Sequence, residues 1–131
     1  MESVTTGCLK SVDNLKGVSM IINTQRDIVL AREVRLANNP FTRMKGLMGV
    51  KRLERQEAMF IYPCQQIHTF FMRFPIDCLF IDRHYVVIKA LRNIQPWKIS
   101  EKVPKAWGVI ELPKGVIEHT NTQVNDVLTM E

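Results

Sequence analysis

One short stretch of the chain brings together a thiol, an imidazole and a carboxylate, supplied by Cys64, His68 and Asp77. These residue types can form a nucleophilic catalytic set, in which a thiolate attacks, the imidazole takes its proton and the carboxylate orients the ring. Cysteine and histidine are also metal ligands, but no second Cys or His lies close by in the sequence. The three residues are therefore catalytic candidates, and neither a metal ion nor another cofactor is predicted.

The spacing of Cys64 and His68 argues against a simple catalytic pair. On one straight strand, four residues at about 3.3 Å each would separate them by about 13 Å, which is too far for a proton transfer. A bend at Gln65-Gln66 would bring them together. The alternative is that both side chains serve packing and hydrogen bonding.

Glu111 is a carboxylate inside the apolar run Val109-Ile110-Glu111-Leu112. A buried glutamate must be paired or neutral, because burying an isolated charge is costly. Arg43, on a predicted helix, is the candidate partner. An Arg–Glu pair can be purely structural or part of a functional site, and the sequence leaves both interpretations open.

Four further residues complete the candidate binding site. On a strand over residues 67–72, His68 and Met72 would share one face and could line a pocket, although a histidine there is often structural. Asp77 follows Pro75-Ile76, and its alternative role is to cap that turn. Trp97 lies in a long loop, where it either anchors a partner or folds back onto the core. The predicted binding residues are His68, Met72, Asp77, Arg43, Glu111 and Trp97.

The elements that position these residues are mostly strands. Residues 1–18 show no clear hydrophobic periodicity and are predicted to be a weakly structured lead-in. One β-rich domain is predicted over residues 19–131. Asn39 before Pro40 predicts a helix start, with the helix over residues 40–48 and an apolar stripe. Runs rich in β-branched and apolar residues predict strands over residues 19–24, 28–36, 58–62, 67–72, 78–81, 85–91, 107–112 and 127–130. The fold class is mainly β (α+β), a compact antiparallel sheet or partly open small barrel with one short helix.

Composition and charge narrow the function classes. The chain has 131 residues, 46% hydrophobic and 24% charged, which suits one globular domain and excludes intrinsic disorder. The net charge is +5, because a charge of +7 over residues 21–100 is offset by −2 over residues 101–131. This basic middle fits anionic partners, yet without basic runs interleaved with aromatics it does not favour nucleic acid. Three cysteines, no signal pattern and no run long enough to span a membrane predict a cytoplasmic protein.

Several motifs, in order and spacing, resemble the uncharacterised bacterial and archaeal family called domain of unknown function 192. They are Arg43-x-x-Gly46-Leu47-Met48, Ala58-Met59-Phe60, Ile67-His68-Thr69-Phe70-Phe71-Met72-x-x-Pro75-Ile76-Asp77-x-x-Phe80-Ile81-Asp82 and Val109-Ile110-Glu111-Leu112-Pro113-x-Gly115. The resemblance implies a small β-rich domain whose short helix bears the Gly-Leu-Met motif, and no established activity. The Ile-His-Thr form resembles a subgroup found beside pilus-assembly and secretion genes, which is an association only.

These observations predict a small binding or accessory module rather than an enzyme. Its partner would be a small molecule or a protein, and the resemblance adds a link to secretion or pilus assembly. Two alternatives remain open: a hydrolase that depends on Cys64 and His68, and a nucleic-acid-binding domain that uses the basic middle.

Overall fold

The computed structural model describes Leu15 and residues 17–131 of the chain. The predicted lead-in over residues 1–18 lies mostly outside the described residues, and so does Cys8. The described part contains eight strands and two short helices: β1 (Ile21–Asn23), β2 (Ile28–Ala31), β3 (Glu33–Ala37), α1 (Pro40–Lys45), β4 (Glu57–Ile61), β5 (Ile76–Ile81), β6 (Val87–Ile94), β7 (Gly108–Pro113), α2 (Val116–Thr120) and β8 (Leu128–Met130). The predicted mainly β, α+β class is confirmed.

The strands form two sheets rather than a closed barrel in the described part of the chain. One sheet has three strands in the order β2-β1-β8, and the other has five in the order β3-β4-β7-β5-β6. Neighbouring strands are antiparallel except for β3 and β4, which pair in parallel. This parallel pair at one edge is the departure from the antiparallel sheet that the sequence predicts.

Two predicted strands are wrong in detail. The run over residues 28–36 breaks at Arg32 into β2 and β3, which belong to different sheets. The backbone N–H of Arg32 turns away to donate to Gln56 O at 2.8 Å. Residues 67–72 form no strand and contribute one isolated bridge, between His68 and Ile99. Phe71 has φ 63°, a left-handed conformation that a strand cannot contain.

Helix α1 begins where the sequence predicts and ends earlier. The Asn39 side chain accepts a hydrogen bond from Thr42 N at 2.9 Å, and Thr42 Oγ1 accepts one from Asn39 N at 3.2 Å, so a capping box fixes the start. The helix ends at Lys45 and not at Met48, because the next residue is the cap Gly46, whose φ of 47° favours glycine. Phe41 and Met44 of the predicted apolar stripe are 68% and 66% exposed, so they do not face the core.

The central strands β4, β5 and β7 of the five-stranded sheet are buried on both faces, and their side chains alternate between the two. One face, with Phe60, Leu79 and Ile110, packs against the three-stranded sheet and α2. The other face, with Ile61, Cys78 and Val109, packs against Leu47 and the loops that follow α1 and β4. No helix in the described residues is both long and apolar enough to cross a bilayer.

Candidate functional site

The predicted thiol, imidazole, guanidinium and buried carboxyl meet at one small cavity beside the end of α1. Its volume is about 40 Å³, which is room for a water molecule or a polar group of similar size. The predicted site residues that line it are Arg43, Cys64, His68, Met72 and Glu111. The structure therefore places four of the six predicted binding residues around one space.

Glu111 is the buried acid of this cavity. It lies on β7, where it pairs with Met59 of β4 and Cys78 of β5, and therefore on the loop-covered face of the sheet. Its side chain is 2% exposed, and Glu111 Oε1 has no hydrogen-bond partner. Burial raises the pKa of Glu111 to about 8. At neutral pH the carboxyl is therefore mostly protonated and can donate a hydrogen bond.

Arg43 lies on α1 and lines the same cavity. Its Nη1 donates to Pro63 O at 3.0 Å, whereas its buried Nε–H has no partner. Among the hydrogen bonds and ion pairs of the described residues, none joins Arg43 to Glu111. The predicted Arg–Glu ion pair is thus not formed: both residues line the cavity, and each has a buried polar atom without a hydrogen-bond partner. Such atoms are unusual, because buried polar groups are nearly always hydrogen-bonded.

His68 sits at the edge of the cavity, half-buried, with both ring nitrogens engaged. Its Nδ1 accepts a hydrogen bond from Phe70 N at 3.2 Å, and its Nε2 lies 3.3 Å from Met44 O. A neutral ring with the proton on Nε2 satisfies both contacts. The ring also stacks on Phe70, with the centroids 5.0 Å apart. These contacts hold the imidazole in place and leave no free nitrogen to act as a base.

Cys64 lines the same cavity as His68. Cys64 Sγ donates to Gln66 O at 3.2 Å, and burial raises the pKa of the thiol, so the thiolate is disfavoured. In the described part of the chain, Cys64, His68 and Asp77 make no hydrogen bond with one another. The direct hydrogen bonds of a Cys–His–Asp set are therefore not formed, and the hydrolase hypothesis stays an untested alternative.

Asp77 points to the opposite face of the sheet from Glu111, because it neighbours Cys78 on β5 and Cys78 shares the face of Glu111. The carboxylate is 1% exposed. It accepts hydrogen bonds from the backbone N–H groups of Asn93 at 2.9 Å, Gly115 at 3.1 Å and Ile117 at 2.9 Å. These bonds join β5 to β6 and to the start of α2. Asp77 thus caps the start of α2 instead of the Pro75-Ile76 turn, and it does not line the cavity.

Trp97 is also outside the cavity and is 58% exposed. Its ring centroid lies 4.6 Å from that of Phe71 and 6.0 Å from that of Phe70. The indole therefore neither folds back onto the core nor lines the cavity.

An open cleft of about 880 Å³, which the sequence does not indicate, adjoins the cavity and shares Arg43, Cys64 and His68 with it. Arg83 and Lys105 add positive charge to its walls, and the Arg83 guanidinium carbon lies 5.9 Å from the centroid of the Trp107 ring. Asp82, the acid of the cleft, accepts backbone hydrogen bonds from His84 and Val86. Nothing local in the sequence marks Arg83 or Lys105, since the fold alone brings their loops together.

Metal binding finds no support in the geometry. In the part of the chain that the structure describes, no three His, Cys, Asp or Glu side chains gather as they would around an ion. The two described thiols, Cys64 and Cys78, are free.

Comparison with known proteins agrees on the family and the fold. Residues 21–130 match the DUF192 family, described as an uncharacterised ancient conserved region. A UPF0127 protein of Pyrococcus horikoshii is 32% identical over 112 residues, which covers 82% of this chain and 95% of that protein. A crystal structure of a protein of unknown function from Novosphingobium aromaticivorans has a TM-score of 0.72 at 19% identity, covering 83% of this chain and 81% of that one.

A second crystal structure, of a protein from Sinorhizobium meliloti that is described as a candidate transcription regulator, also has a TM-score of 0.72. It is 23% identical and covers 85% of this chain and 90% of that one. At these identities the two structures establish the fold alone. The match over nearly the whole length identifies the chain as a member of the DUF192 family, whose function is not established.

Proposed function

We propose that the protein is a non-catalytic binding module for a small molecule that carries a carboxylate. The observation behind this proposal is that Arg43 Nε and Glu111 Oε1 are buried without hydrogen-bond partners and belong to residues that line one cavity. Burying polar atoms without partners costs free energy, about 1–3 kcal/mol for each group. A bound group that pairs with both atoms would recover that cost.

The protonation state of the cavity favours an anion over a cation. Arg43 supplies a permanent positive charge and an N–H donor. Glu111, with its pKa raised to about 8 by burial, supplies a neutral carboxyl that donates a hydrogen bond at pH 7. A carboxylate has two oxygens, so one can accept from each donor. Below pH 8 both donors are available, and above pH 8 the ionised Glu111 repels the ligand.

The adjoining cleft provides space for the rest of the ligand. It combines the cations Arg83 and Lys105 with the ring of Trp107. Such a surface suits an apolar or aromatic body attached to the carboxylate, since binding sites pair apolar walls with a few orienting polar groups. The link to secretion or pilus assembly rests on the family resemblance alone, and both that link and a protein partner remain predictions.

Isothermal titration calorimetry with benzoate, and with benzamide as its neutral counterpart, tests the proposal. We expect benzoate to bind and benzamide to bind far more weakly. Removing a hydrogen bond to a charged group costs about 1.5–3 kcal/mol, so R43Q should weaken benzoate binding about 10–100-fold. The matched control is R52Q, because Arg52 is highly exposed and pairs with Glu54.

The pH dependence separates this site from a nonspecific cationic one. Benzoate binding should weaken as the pH rises through 8, and E111Q, which keeps a donor but cannot ionise, should lose that dependence. Equal binding of benzoate and benzamide, or unchanged binding by R43Q, would overturn the proposal.

A further inference from the structure

Most of the large exposed apolar side chains in the described residues come from three neighbouring segments, which we call the aromatic face. His68 connects these segments: its ring stacks on Phe70, its Nε2 contacts Met44 O, and its backbone bridges to Ile99. The members are between 36% and 68% exposed: Phe41, Met44, Phe70, Phe71, Trp97 and Ile99. Exposed apolar groups that lie together, rather than singly, mark an interaction surface.

The backbone holds this face open. Thr69 is fully buried between the two loops that carry the aromatic residues. Its Oγ1 donates to Gln95 O at 2.7 Å and accepts from Lys98 N at 2.9 Å, and its carbonyl accepts from Trp97 N at 2.9 Å. Phe71 and Trp97 both have left-handed backbones, with φ 63° and 67°. Bulky residues rarely adopt this conformation, so the loops keep these rings outward at some cost.

The charged residues within the three segments of the aromatic face have a single sign. The three segments, residues 40–50, 66–75 and 95–100, contain Arg43, Lys45, Arg73 and Lys98 and not one Asp or Glu. Lys45, Arg73 and Lys98 are exposed. An apolar surface whose own segments carry only cations is complementary to an apolar layer covered by anionic groups.

We propose that the aromatic face docks onto the surface of an anionic lipid bilayer, with Phe71 and Trp97 in the interfacial region and Arg73 and Lys98 against the headgroups. Tryptophan is enriched at the interface between lipid and water, and basic residues are attracted to anionic lipids. A stable protein interface uses about 20–30 residues a side, well beyond this face, whereas a bilayer demands no matching shape. The proposal is independent of the carboxylate site, because either can fail without the other.

Vesicle binding tests the proposal through tryptophan fluorescence. The chain has two tryptophans, of which Trp107 is 7% exposed and Trp97 is 58% exposed. With vesicles of phosphatidylcholine and phosphatidylserine, we expect the protein to co-sediment and the emission to shift to the blue. In W97F the emission shift should disappear, because Trp107 stays in the core, while co-sedimentation continues. Salt should weaken the binding by screening the cations.

Two double variants measure the contributions of charge and apolar contact. R73Q/K98Q should lower the partition coefficient roughly thirtyfold, since each basic residue near such a surface contributes about 1 kcal/mol. F71S/W97S should abolish co-sedimentation. V124S is the control, because Val124 is 48% exposed but lies outside the face. Unchanged thermal unfolding of each variant shows that folding is intact.

Three results would overturn the proposal. One is the absence of co-sedimentation with anionic vesicles, and another is equal binding to vesicles of phosphatidylcholine alone. The third is a concentration-dependent dimer in sedimentation velocity that F71S/W97S dissociates, since the aromatic face would then bind a second copy of the chain.

Discussion

Glu111 is the residue whose chemistry is most altered by the fold. It occupies a β7 position between apolar neighbours, and its Oε1 has no hydrogen-bond partner. Burial raises its pKa from 4.5 to about 8, so the folded protein holds a proton that the unfolded chain releases. The ionised form is disfavoured in the core, so the protonation of Glu111 makes the stability of the fold depend on pH.

Replacing Glu111 by glutamine should remove a pH-dependent loss of stability. Because the folded pKa is the higher one, the favourable contribution is complete below pH 4.5 and is lost as the pH rises towards 8. E111Q should therefore be more stable than the parent protein at pH 8, by on the order of a few kcal/mol, and similar to it near pH 4. Urea unfolding at several pH values measures this difference, and parallel curves for the two proteins would refute it.

At the residue scale, sequence reasoning identifies unusual residues better than their surroundings. An acid in the apolar run around Glu111 is visible in the sequence, and so is a basic residue on the predicted helix. The sequence does not show that Asp77 faces away from Glu111, because that depends on the register of β5 against β7. Arg83 and Lys105 reach the cleft through loops, and no local pattern marks them.

At the scale of elements, Asp77 is the joint between β5, β6 and α2. Two of its three backbone hydrogen bonds satisfy N–H groups at the start of a helix that has no side-chain cap of its own, and the third comes from Asn93 of β6. Asparagine has one carbonyl oxygen and an N–H₂ group in place of two acceptor oxygens, so it cannot replace all three bonds. The same geometry explains why an acidic side chain can be buried here, since its oxygens accept hydrogen bonds from three backbone donors.

We therefore expect D77N to destabilise the protein by about 2–4 kcal/mol, because bonds to a charged group are lost and backbone donors stay buried. Thermal and urea unfolding measure the effect. The control E118Q, on the exposed side of α2, should stay within about 0.5 kcal/mol of the parent protein. If D77N kept full stability but lost benzoate binding, Asp77 would belong to the binding site after all.

The elements also show where local patterns mislead. Residues 67–72 alternate as a strand does, yet they form a loop because Thr69 hydrogen-bonds across to the loop of Trp97. Residues 28–36 form a continuous run of strand-forming residues, yet the chain changes sheets at Arg32. Phe41 and Met44 have helical spacing but face outward. Periodicity predicts the element, whereas tertiary contacts decide its partners and its exposed side.

At the scale of the whole molecule, the mainly β fold class can be predicted from the sequence, but the pairing of the strands into sheets cannot. Most predicted strands occur, which is enough to predict a mainly β domain. The division into two sheets and the parallel pairing of β3 with β4 depend on contacts between distant segments. The clearest such contact joins the chain ends, since β1 pairs with β8. A buried polar cluster secures this junction beside the hairpin of β1 and β2.

Asp126 is the centre of that cluster. Its carboxylate accepts hydrogen bonds from Asn23 Nδ2 at 2.9 Å, Arg26 Nε at 3.0 Å and Gln123 N at 2.9 Å. Burial alone would raise the pKa of Asp126, but these hydrogen bonds outweigh it and lower the pKa below the usual 3.8. The charged form is thus the one that holds the two ends of the chain together.

Because the folded pKa of Asp126 is depressed, its contribution to stability is complete above about pH 3.8 and is lost as the pH falls. D126N should destabilise the whole domain by about 1–3 kcal/mol at pH 7, since Arg26 and Asn23 lose a charged acceptor. The difference from the parent protein should shrink in acid. Urea unfolding at pH 7 and pH 3 tests this, with D27N on the exposed turn as the control. A difference that persists undiminished at pH 3 would show that packing, and not the charge of Asp126, holds the chain ends together.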